Sequence, residues 1–124
     1  MFNVFNINPG LSDAWYYEPS SGQGFFITVF PDLGAVSVAW FTYDTELPAE
    51  DATANLGDPG HRWLTAFGPI EGNQVIMEIA MTSGGLFDTP TLIDRTDPPG
   101  LDGTIILTLC IGNLNTIFKA SPMY

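Results

Sequence analysis

Basic residues are scarce in this chain: three Lys and Arg face fourteen Asp and Glu, which leaves a formal net charge of −11 over 124 residues. Binding a nucleic-acid backbone requires clustered Lys and Arg that displace counterions, so DNA and RNA are excluded as partners. The same charge repels anionic lipid. Long apolar runs are missing too. No stretch approaches the ~20 residues that a helix needs to cross a bilayer, so no membrane partner is expected and the chain reads as soluble. Cysteine occurs once, at Cys110, which rules out an internal disulfide and a cysteine-based metal cluster. Placed at the end of an apolar run, Cys110 reads as a small buried hydrophobe. Histidine also occurs once, at His61, so a two-histidine metal site is excluded by count. No metal and no cofactor is expected. The segment Met1-Phe2-Asn3-Val4-Phe5-Asn6 lacks the basic and long apolar regions of an export signal, so no targeting segment is read there and the compartment stays open.

What the chain has is β patterning without any helical period. Its length suits one domain, residues 1–124, with a real core. A strand over Ser12 to Tyr17 runs into Pro19-Ser20-Ser21-Gly22-Gln23-Gly24, where proline and glycine favour a hairpin turn. The strand Phe25 to Phe30 alternates Phe25, Ile27 and Val29 with Phe26, Thr28 and Phe30. After the turn Pro31-Asp32-Leu33-Gly34, a third strand places Val36, Val38 and Trp40 on one face and Ala39, Phe41 and Tyr43 on the other. Asp44 to Gly60 reads as a long acidic loop whose carboxylates do not match the ligand offsets of an EF-hand. His61 to Phe67 returns to strand, and a turn over Gly68 to Asn73 leads into Gln74 to Met81. There Val75, Met77, Ile79 and Met81 form the core face, and Gln74, Ile76, Glu78 and Ala80 the other. Ser83-Gly84-Gly85 breaks the chain and Asp88 to Gly103 is a second loop. Thr104 to Cys110 and Asn115 to Ala120 form a terminal hairpin around Gly112-Asn113. The expected architecture is all-β: a single-domain antiparallel sandwich or up-and-down barrel of about seven to eight strands.

The runs Trp15-Tyr16, Gly22-Gln23-Gly24-Phe25 and Trp40-Phe41-Thr42-Tyr43-Asp44 resemble a family of uncharacterised bacterial proteins with a WY…GQGF…WFTYD signature. Gly57-Asp58-Pro59-Gly60-His61-Arg62-Trp63 and Ser83-Gly84-Gly85-Leu86-Phe87-Asp88 are similar to its following motifs. The family has no established function. The resemblance implies a bacterial origin and export of the natural precursor, and it transfers no activity. The opening Gly10-Leu11-Ser12-Asp13-Ala14-Trp15-Tyr16 also resembles the start of avidin-like barrels, an analogy of architecture alone.

The residues best suited to binding are Trp15, Tyr17, Trp40, Tyr43 and Trp63, aromatics near strand ends beside long loops. Tyr and Trp stack on apolar or sugar-ring faces while their polar tips hydrogen-bond. Gln23, between two glycines, is expected to hydrogen-bond backbone across the turn or to face the aromatic cleft; His61 joins the candidate set. The leading expectation is therefore a non-enzymatic small-molecule, glycan or peptide binding domain with an aromatic-lined cleft. The alternatives are a small hydrolase using His61 with Asp58 or Asp44, and a purely structural, self-associating module. Phe26, Phe30 and Phe41, opposite the core face, are the candidate interface of a homo-oligomer, with a dimer favoured.

Overall fold

Strands dominate because β-branched and aromatic residues alternate through most of the chain, and glycine and proline punctuate it. The computed structural model describes residues 6–16, 18–53, 60–90, 92–95, 103–109 and 119–121. Tyr17, Asp58, Cys110 and the Gly112-Asn113 turn lie outside them. So do residues 1–5, 115–118 and most of the 88–103 loop beyond residue 95. A short 3-10 turn, Pro9–Leu11, precedes β1 (Asp13–Tyr16), β2 (Gly24–Phe30), β3 (Ala35–Tyr43), β4 (His61–Glu71) and β5 (Gln74–Ala80). Then come β6 (Thr82–Ser83), β7 (Asp94–Arg95), β8 (Thr104–Thr108) and β9 (Lys119–Ser121).

Seven of these form one antiparallel sheet in the order β1-β2-β3-β4-β5-β8-β9, an up-and-down path that curls into a half-barrel. The fold is thus all-β, as the alternation predicts. Its concave side carries the core. Val36, Val75 and Met77 are fully buried there, and Val38, Ile79, Ile105 and Leu107 nearly so. The N-terminal segment crosses one end of this trough. The Ile7 N–H donates to the Gly72 carbonyl at 3.0 Å and the Val29 N–H donates to Ser12 Oγ at 2.9 Å, which seats Ile7 and Leu11 in the core. The opposite end of the concave face, where β1–β2 and β3–β4 connect, is the mouth.

Three expectations need correction. The turn between the fourth and fifth strands is not Gly68 to Asn73. β4 runs through Gly68 and Pro69 to Glu71, and Gly72, at φ 65°, and Asn73 make a two-residue turn. Proline lacks the N–H for one ladder position, yet Ala35↔Pro69 and Val36↔Gly68 keep that part of β4 paired to β3. Met81 is exposed and Ala80 buried, the reverse of the expected alternation, because β5 ends at Ala80. Finally, the region read as a break and a loop folds back as a ribbon, with Thr82↔Arg95 and Ser83↔Asp94 paired.

Candidate functional site

Register decides which aromatics share a surface. Trp15 pairs with Phe25, Phe25 with Trp40, and Trp40 with Leu64, so the four form one row across β1 to β4. All four are half-buried and pack against the core, which places the row on the concave face just inside the mouth. The Phe25 and Trp40 rings stack at 5.5 Å with 17° between planes. Trp15 Nε1 donates to the Leu11 carbonyl at 3.0 Å, holding that indole edge in place.

The next row outward is polar. Gln23 ends the β1–β2 turn, and its Oε1 accepts from Thr42 Oγ1 at 2.5 Å while its Nε2 donates to Ser20 Oγ. Of the two expectations for Gln23, backbone bonding across the turn or facing the aromatic row, its amide stands beside the row and meets two side-chain hydroxyls, because Gln23 lies directly across from Thr42 in the continued β2–β3 register. Thr42 pairs with Arg62, whose guanidinium meets the Asp44 carboxylate. Both partners of that ion pair are well exposed, so it contributes at most about 1 kcal/mol to stability. The Asp44 N–H donates to the Gly60 carbonyl at 2.7 Å, closing the base of the acidic loop beside the mouth. Replacing Gln23 by alanine removes both hydroxyl contacts in one step. The expected loss is about 1–2 kcal/mol by urea denaturation, and a Gln23→Ala/Thr42→Val cycle should be non-additive, since the two residues share a bond.

The remaining candidates lie elsewhere. Trp63 is the register partner of Phe41, and His61 of Tyr43, so all four stand on the convex side. The expected single cleft is therefore divided: Trp15, Gln23 and Trp40 belong to the mouth, whereas Tyr43, Trp63 and His61 are on the other side of the sheet. Tyr17 lies outside the described residues. The Tyr43 hydroxyl donates to the Ser21 carbonyl at 3.4 Å, and its ring lies 5.4 Å from the His61 ring. Gly22 is required under that hydroxyl: its φ is +80° and a Cβ there would sit 1.9 Å from Tyr43 Oη. Among the described residues no carboxylate hydrogen-bonds His61, and the Asp44 carboxylate is engaged by Arg62.

Sequence reasoning missed Phe25, Leu64, Thr42 and Ser20 as members of the mouth. Phe25 was detectable, being in phase with Gln23 along β2. Leu64 needed the β3–β4 register, which the 44–60 loop conceals. Among the described residues no group of three or more His, Cys, Asp and Glu is placed to hold a metal ion, and no helix is long and apolar enough to cross a membrane. Comparison with family models, curated proteins and solved structures finds no match to the chain.

Proposed function

We propose that the protein is a non-enzymatic binding domain that takes a small ring-bearing ligand, a sugar or an aromatic side chain of a peptide, at the mouth of the half-barrel, and that it works as a homodimer. One observation carries the binding reading: the Trp15-Phe25-Trp40-Leu64 row is half-buried, and the amide of Gln23, the hydroxyl of Thr42 and the Arg62–Asp44 pair stand immediately above it. Apolar rings offer a stacking surface and the polar row offers directional hydrogen bonds, the combination that small-molecule sites use. Membership of the WY…GQGF…WFTYD family is likewise a proposal, resting on motifs that include Trp15, Gln23, Trp40 and Thr42.

Tryptophan fluorescence tests the binding reading, because Trp15 and Trp40 both lie at the mouth. Titration with cellohexaose, maltohexaose and benzyl alcohol, with excitation at the red edge of the tryptophan band, is expected to shift or quench emission for at least one probe, with a dissociation constant in the micromolar to millimolar range. Trp40→Ala should weaken that binding at least tenfold, a loss of about 1.4 kcal/mol or more. Trp63→Ala should leave it unchanged. An equal loss in both variants, or no response to any of the three probes at millimolar concentration, sinks the mouth as the site.

A further inference from the structure

The convex face of β2, β3 and β4 is largely apolar in a protein whose net charge is −11, and the acid it carries, Glu71, stands at the end of β4. Its convex-side positions on β3 are small: Ala35, already covered by its neighbours, and the half-buried Ser37 and Ala39. On one side β2 raises Phe30 opposite Ala35 and Phe26 opposite Ala39. On the other, β4 raises Pro69 opposite Ala35 and Phe67 opposite Ser37. The result is a trough two strand spacings wide, about 10 Å, with a floor about 13 Å long. Phe41 and Trp63 close one end of it. The rings are not tucked away. Phe26, Trp63 and Phe67 remain 55%, 55% and 56% exposed, and the Phe26 and Phe41 rings already meet edge to face at 5.4 Å.

We propose that this face is the interface of a two-fold dimer in which the Phe26–Phe30 ridge of each copy lies in the Ala35–Ser37–Ala39 trough of the other. The proposal rests on the dimer stated above and adds its surface and fit. Ridge and trough are matched in length, since each spans four residues of an extended strand, about 13 Å. A two-fold axis lets both ridges seat at once, as an isologous interface demands. Two sheets packed face to face interdigitate in this manner about 10 Å apart. The area is of the right order as well: with whole aromatic side chains at roughly 200 Å² each, the exposed parts of Phe26, Phe30, Phe41, Tyr43, Trp63 and Phe67 amount to roughly 600 Å² per copy. A standard interface needs about 800 Å² per partner, and flanking Thr28, Thr65 and Pro69 supply the remainder. Charge lies at the border of the contact: Glu71 ends β4 and Glu78 of β5 stands beside Phe67, where both can stay in water and salt screens their repulsion beyond about 8 Å.

The test is the mass of the intact chain in solution at physiological salt, from one to one hundred micromolar, for the wild type, Ser37→Arg and Phe26→Ser. Far-ultraviolet circular dichroism and the urea midpoint establish that each variant is folded. Ser37→Arg fills the trough and Phe26→Ser removes the ridge, and neither touches the concave core. The expected result is a wild-type mass of twice 13.5 kDa and folded variants at 13.5 kDa, with the dissociation constant raised at least tenfold. A folded variant that keeps the wild-type dissociation constant overturns this interface and leaves the dimer standing. A wild type at 13.5 kDa throughout overturns both. Either variant decides the matter if the other fails to fold.

Discussion

Gly68→Ala is expected to lower stability by about 3 kcal/mol, at the upper end of what overpacking costs in a close-packed interior. Gly68 lies buried on the concave face of β4, between Val36 of β3 and the Ile76–Met77 segment of β5. A Cβ at this position would stand 2.5 Å from the Ile76 carbonyl oxygen and 2.9 Å from Met77 Cγ. The first contact is with backbone, so no rotamer change relieves it, and β4 cannot retreat because Val36 is paired to it from the other side. Urea denaturation should show the midpoint falling with the m-value preserved, the mark of a less stable but equally compact native state. Adding Met77→Ala relieves only the side-chain half of the clash. The double variant should therefore be less destabilised than the sum of the singles, yet still well below Met77→Ala alone. A Gly68→Ala variant within 0.5 kcal/mol of the wild type, as an exposed strand glycine would give, contradicts this packing.

The same residue shows where reading the chain fell short. Gly68-Pro69 is a turn signal in any local reading, and in isolation it ends a strand. Here the glycine answers to the crowding of its neighbours across the sheet and the proline is tolerated because β3 holds the strand, two facts of register invisible in one dimension. Alternation itself was legible: Ile27, Val29, Val36, Val38, Val75, Met77 and Ile79 are all buried, as period 2 requires. It also contained the split of the candidate site. Trp40 and Tyr43 are three positions apart in one strand and so face opposite ways, and grouping them in one cleft set aside the rule that had placed Trp40 in the core. Trp63 was harder. Its side of the sheet follows only from pairing with Phe41, and the 44–60 loop that separates the two strands leaves that register open. Gln23 stands out in the sequence because it lies between two glycines. Its bond to Thr42 came from the β2–β3 pairing, which the Pro31 to Gly34 turn sets from afar.

Met77→Ala is the counterpart on the same pair of strands, and its expected effect is among the largest of the truncations at the described residues. Met77 is 0% exposed and sits at the centre of the concave face, over Gly68 and between the Gly68 position of β4 and Ile105 of β8. Its flexible thioether fills the space that the missing glycine side chain leaves, a role for which unbranched methionine is suited. Truncation removes the buried atoms and leaves a cavity whose collapse is limited by the Met77↔Ile105 pairing on one side and by the Phe67↔Glu78 and Ile70↔Val75 pairs that bracket it on the other. Such changes cost about 2–5 kcal/mol, a large share of the ~5–15 kcal/mol by which a domain is stable. In a thermal scan, that is a fall in midpoint on the order of 10 °C for a chain of this size. Ile76, the adjacent residue, is 51% exposed on the convex side, and Ile76→Ala should cost less than about 1 kcal/mol. The ratio between neighbours is the discriminating quantity. Comparable losses at both positions would mean that the convex side of β5 is as deeply covered as the concave one, and the half-barrel would then have to be redrawn as the inner layer of a thicker structure.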